Sequence, residues 1–180
     1  MNKAQFDSLP EKDRMNRTLE GTAYWAFVSK PKVSEKYKTT TYTLNLGLDA
    51  ENQRLAEMYG LKVMPADKNT PMPYVVINRK VRAGRTAEEV RPSVVDSMQN
   101  EVPRDVLIGN ESKVRVKFGT YWFENNGGGV GTTLFKVQIL KLIEFVSGKD
   151  RSLVMDESGY RAGSPDGDFE LDFLGEEEVA

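Results

Sequence analysis

Ser112-Lys-Val-Arg-Val-Lys-Phe-Gly-Thr-Tyr-Trp-Phe-Glu124 is followed by Asn125-Asn-Gly-Gly-Gly129 and then by Val130-Gly-Thr-Thr-Leu-Phe-Lys-Val-Gln-Ile-Leu140. Two long β-favouring runs separated by an Asn/Gly cluster predict an antiparallel hairpin, with strands over 112–124 and 130–146. Strand parity puts Lys113, Arg115 and Lys117 on one face and Val114, Val116 and Phe118 on the other. The apolar face belongs to a core. Carried onward, the same parity places Tyr121 with the cations and Trp122 with the core, unless Gly119 inserts a bulge.

Outward from this hairpin, the pattern stays β. Residues 74–82 read as a strand. Residues 39–48 alternate, with Tyr42, Leu44, Leu46 and Leu48 on one face and Thr41, Thr43 and Asn45 on the other. Residues 22–28 are aromatic and β-branched, and Lys30-Pro31 is expected to break that strand. A short helix is predicted over 51–59, capped by Asp49 or Asn52 and stopped by Gly60. Residues 62–73 are loop. In 83–100, Thr86 starts at most a helical turn, which Pro92 interrupts. Residues 1–18 read as a loose or weakly helical leader, 19–150 as the folded body and 151–180 as a flexible linker and disordered acidic tail. The class is mainly β with one short helix. A small closed or partly closed barrel and a β-sandwich both fit this pattern.

Charge divides the chain as the elements do. Residues 164–180 hold seven carboxylates and no Lys or Arg, which leaves 25 basic against 20 acidic residues before them. A body of net +5 joined to an acidic tail suggests a polyanion-binding domain with an electrostatic competitor or recruitment segment attached. Cys and His are absent, so thiol nucleophiles, disulfides and the usual zinc ligands are excluded. The commonest general acid/base near neutral pH is missing too. No Asp/Glu spacing in the body stands out, so neither an enzyme nor a cofactor or metal is expected. The polar first twenty residues hold no apolar signal region and no run is long enough to cross a bilayer, so a cytoplasmic location away from membranes is expected.

Three basic segments each carry an aromatic residue. Lys30, Lys32, Lys36 and Lys38 surround Tyr37; Arg79, Lys80, Arg82, Arg85 and Arg91 follow Tyr74; Lys113, Arg115 and Lys117 precede Tyr121. Cations neutralise phosphates and flat rings stack on bases, which is what a sequence-tolerant single-strand groove needs. Tyr37, Tyr74 and Tyr121 sit on the polar parity of their strands and are the expected stackers. Trp25, Phe27, Tyr42, Phe118, Trp122, Phe135 and Phe145 lie on apolar stretches and are expected in the core. Gly127-Gly-Gly-Val-Gly131 lacks the Lys-Ser/Thr of a P-loop and precedes a strand, so it reads as a mobile hairpin tip. In the tail, Phe169, Leu171, Phe173 and Leu174 interleave with Asp166, Asp168, Glu170, Asp172, Glu176, Glu177 and Glu178. Acids alternating with aromatics suit imitation of a nucleic-acid strand or docking on a partner's basic pocket.

Lys30-Pro31-Lys32, Val106-Leu-Ile-Gly109 ahead of the long basic strand, and the acidic-aromatic tail together resemble the single-stranded DNA-binding proteins of tailed phages. The resemblance implies an OB-fold core and coating of single-stranded DNA in replication, recombination and repair. It also implies tail contact with replication or recombination proteins, a possible homodimer, and the host cell's cytoplasm as location. The chain departs from that family in closing on Val179-Ala180 rather than an aromatic residue. It also places its helix after the second strand, where a simple OB-fold has it after the third. The nucleic-acid-binding residues expected are Lys30, Lys32, Lys36, Tyr37, Lys38, Tyr74, Lys80, Arg82, Lys113, Arg115, Lys117 and Tyr121. The alternatives are a protein–protein adaptor, a phage structural β protein without nucleic-acid binding, and a carboxylate-based nuclease.

Overall fold

The computed structural model describes residues 1–145. Its order is α1 (Lys3–Asp7), α2 (Glu11–Arg14), β1 (Arg17–Ser34), β2 (Thr39–Gly47), α3 (Ala50–Met58), β3 (Tyr74–Lys80), α4 (Ala87–Val90), β4 (Ser93–Val95), β5 (Ser112–Phe123) and β6 (Gly129–Lys141). The six strands hydrogen-bond in the order β3-β2-β1-β5-β6-β4. All neighbours are antiparallel except β4, which runs parallel to β6.

The sheet's two flanks meet. The backbone N–H of Asn78 on β3 donates to Thr132 Oγ1 on β6 at 3.1 Å, and Arg79 Nη1 donates to the Leu134 carbonyl at 3.4 Å. Side chains, not a strand ladder, thus join β3 to β6, and five strands enclose a small OB-like barrel. Inward-facing Leu19, Leu44, Leu46, Ile77, Val114, Val116, Phe118, Leu134 and Val137 fill it. Each such side chain stabilises the fold by about 1.5–3 kcal/mol. Parity explains the selection, since every second residue of a strand faces in.

The α3 helix lies where the sequence predicts it, between β2 and β3. Asp49 Oδ1 accepts from Asn52 N at 2.8 Å, and Gly60 adopts φ +78° just past the end. There Leu61 N donates to the Ala56 carbonyl and Gly60 N to that of Glu57, each at 2.9 Å, the paired bonds of a Schellman stop. Thr86 caps α4, and the helix ends at Val90 before Pro92.

Two expectations need correction. Lys30-Pro31 does not end β1, which runs on to Ser34. Beyond Ala23 the β5 side of β1 is unpaired, and the register to β2 slips between Phe27 and Lys32. A proline without an N–H therefore removes no ladder bond there. The leader, in turn, is helical but not loose: Phe6 is buried beside Trp122, and Thr120 Oγ1 donates to the Arg14 carbonyl at 3.1 Å. Residues 166–178, expected as the partner-binding tail, lie outside the described residues.

Candidate nucleic-acid interface

The seam between β3 and β6 is open on its outer side. Two adjoining hollows of about 460 and 600 Å³ share Asn78, Lys80, Tyr121 and Thr132 in their walls. Lys62 lines the first, and Arg79, Arg82 and Arg85 line the second. Among the described residues, no carboxylate lines either hollow, and none of these five cations makes an ion pair. Arg79 is anchored by its bond to Leu134 and lies 5.9 Å from the Phe135 ring centroid. A third hollow, of about 500 Å³, shares Val76 with the first and is walled by Trp25, Phe27, Lys32, Tyr74 and, unlike the other two, a carboxylate, Asp67.

The outward parity of β3, Tyr74-Val76-Asn78-Lys80, therefore floors one continuous trough. The six steps from Tyr74 to Lys80, at a rise of about 3.3 Å each, give it a length on the order of 20 Å. That is the scale of the shortest site, about four nucleotides, that an OB fold covers.

Glycines set two of its rings. Tyr121 pairs across the hairpin with Gly131, and Phe123 with Gly129. A Cβ on Gly131 would lie 2.5 Å from the Tyr121 ring, and one on Gly129 would lie 2.7 Å from that of Phe123. The rings thus lie across bare backbone and stay partly exposed. Expected to form a mobile tip, the Gly-rich run has a packing task, and Tyr121 keeps the predicted parity because the bulge falls at Phe135 instead of Gly119.

The structure brings together Lys80, Arg82 and Tyr121, and, at the far end, Lys32 and Tyr74. Tyr74 is not the exposed stacker expected: only 8 % of its surface is accessible. Its hydroxyl donates to Asp67 Oδ2 at 2.9 Å, a bond that pushes the phenol's pKa up, with burial adding to it. The Asn69 N–H, then the Tyr74 hydroxyl and the Thr70 N–H, hold the Asp67 carboxyl below the usual carboxylate range. Tyr37, exposed with Lys36 Nζ at 5.2 Å from its ring centroid, stands with Lys30 and Lys38 on the β1–β2 hairpin, outside the three hollows.

The basic stripe of β5 lies elsewhere. Lys113 Nζ donates to Thr22 Oγ1 at 2.6 Å and lines a separate hollow with Glu20 and Asp49. Arg115 pairs with Glu20 and donates to Gln138 Oε1 at 3.3 Å. Lys117 is exposed between Thr18 and Lys136. None of the three borders the trough.

Sequence reasoning assigned Trp25 and Phe145 to the core, yet 47 % and 50 % of their surfaces are accessible. Phe27, Trp122 and Phe135 are only half-buried, whereas Tyr42 and Phe118 are buried as expected. Phe123 shares Tyr121's parity and was legible on that ground. Trp25 was not, because its orientation follows from a backbone irregularity.

No protein-family model matches the chain, and neither does any curated protein. Solved structures do. The single-stranded DNA-binding protein gp2.5 of bacteriophage T7 superposes with a TM-score of 0.53 at 21 % identity, over 82 % of this chain and 99 % of that one. The single-stranded DNA-binding protein of bacteriophage Enc34, solved in complex with single-stranded DNA, matches at TM-score 0.51 and 12 % identity, over 71 % of this chain and 91 % of its own. The fold is that of phage single-stranded DNA-binding proteins. Among the described residues, no helix is long and apolar enough to cross a membrane.

Proposed function

We propose that this chain binds single-stranded DNA along the β3–β6 trough and coats it during phage replication, recombination and repair, without catalysing a reaction. The observation that carries this reading is the pair of adjoining hollows along the β3–β6 seam, lined by five cations and two exposed rings and by no carboxylate. Phosphates approach Lys62, Lys80, Arg82 and Arg85, while bases stack on Tyr121 and Phe123. Likeness in fold to two phage proteins whose structures are described as single-stranded DNA-binding supports the ligand class. The acidic segment 164–180 competes for the trough and, once displaced by DNA, engages replication or recombination proteins in the host cytoplasm.

Fluorescence anisotropy with labelled oligo(dT) of increasing length, across salt and against a duplex control, tests both parts. Affinity is expected to rise with oligonucleotide length and to fall as salt rises. The same titration on residues 1–163 is expected to give tighter binding, most clearly at low salt. Length-independent or absent binding would overturn the DNA reading. Equal affinity with and without the tail would overturn the competition.

A further inference from the structure

Among the described residues, five non-glycine residues have positive φ, and Trp25, at +50°, is the one aromatic residue of the five. It sits in a β-bulge: Tyr24 pairs with Asn45 and Phe27 with Thr43, so β1 carries one extra residue against β2. Bulges with a left-handed residue usually place glycine there, since a bulky side chain is strained in that conformation. Here the strained position holds the largest side chain of all, with nearly half its surface accessible. Burial alone does not account for such an arrangement, and backbone strain of this kind clusters at functional sites.

The ring is also held at both ends. The Trp25 N–H donates to Asn110 Oδ1 at 2.9 Å, taking the place of the β5 ladder that stops at Ala23. The indole Nε1–H donates to the Asn69 carbonyl at 3.0 Å. Asn69 belongs to the turn that Asp67 organises by accepting from the N–H groups of Asn69 and Thr70. An exposed indole fixed in this way has lost its freedom before any ligand arrives, which lowers the entropic cost of stacking on it. Lys32 lines the same hollow, with its Nζ 5.9 Å from the Phe27 ring centroid. The hollow joins the trough at Val76.

We infer that Trp25 is a preorganised stacking platform for one base at the end of the trough away from Arg82, with Lys32 beside it for the adjoining phosphate. This rests on the single-stranded DNA reading above and extends the bound path from β3 onto the bulge of β1.

The test uses the full chain carrying Trp122→Phe, which leaves Trp25 as its one tryptophan. Oligo(dT) binding is followed by anisotropy of the labelled strand while Trp25 emission is read in parallel. The expected result is quenching of Trp25 in step with binding. Trp25→Gly, which suits the left-handed backbone, is expected to weaken binding roughly 5- to 150-fold with an unchanged salt slope, and Trp25→Phe to fall in between. Normal binding with unquenched Trp25 overturns the platform and leaves the trough standing. Absence of binding overturns both. Quenching requires no change at position 25, so it decides the matter even if Trp25→Gly fails to fold.

Discussion

The β5 stripe and the β3–β6 trough hold the same kinds of residue and meet different fates. Lys113, Arg115 and Lys117 form the most regular basic pattern in the chain, yet their strand lies between β1 and β6 in mid-sheet. There Glu20 and Thr22 engage two of the three cations. Lys80, Arg82 and Arg85 are less regular in sequence, but β3 is the last strand on its flank and leans on β6 without a ladder. A seam closed by side chains leaves a concave strip, and no acid lines it. Concavity and the absence of carboxylates, more than the density of charge, single out this seam as the proposed binding surface.

Substitutions can break this contrast. Largest in effect should be Tyr121→Ala, which removes a stacking ring worth ~1–3 kcal/mol per base and is expected to leave the salt slope unchanged. Gly131→Ala should move in the same direction by less, because its Cβ would displace that ring. If Tyr121→Ala binds oligo(dT) as the parent does, the trough carries no stacking. Next comes a paired measurement of salt dependence: Lys80→Ala is expected to reduce the slope of log K against log salt by about 0.7, and Lys117→Ala to leave it nearly unchanged. Equal slopes for the two variants would put stripe and trough on one footing and undo the comparison.

The smallest effect concerns acid. The Asp67 carboxyl is held below the usual range by its bonds to Asn69, Tyr74 and Thr70. Asp49 is likewise lowered by Asn52, and Asp96 by Asn100. The unfolded chain therefore takes up protons before the folded one does. Stability is full above the ordinary carboxylate pKa and is lost as pH falls through the lower folded values, from about pH 5 downward. Thermal melts between pH 7 and 3 should show a falling midpoint, with a shallower fall in Asp67→Asn. Since Asp67 organises the turn that holds the Trp25 indole, a flat profile would show that this end of the trough does not depend on the carboxylate.

Much of the fold was legible in the sequence. The β5–β6 hairpin, α3 with its Asp49 cap and Gly60 stop, and the turn at Thr86 depend on local rules: period-two alternation, capping oxygens and positive-φ glycine. The site was legible in part. Parity puts Tyr121 on an outward face and the basic segment after Tyr74 contains Lys80, and both line the proposed trough. Tyr74 was misjudged because parity cannot reveal the Asp67 that covers and binds its hydroxyl. The partner of Arg115 was not legible, because Glu20 lies 95 positions away in the chain. Likewise, Pro31 looked like a strand end only because the unpaired flank of β1 is invisible locally.

By itself, the sequence determined which residues alternate inward, where the helices cap and stop, and that cations and rings outnumber acids along the body. These are properties of neighbours within a few positions, set by backbone geometry and side-chain chemistry. Tertiary structure alone decided that β3 and β6 close the barrel through side chains, which cations face an acid-free hollow, and that Trp25 stands outward on a strained bulge. Those outcomes depend on pairing between residues far apart in the chain, whose register and curvature no local pattern encodes.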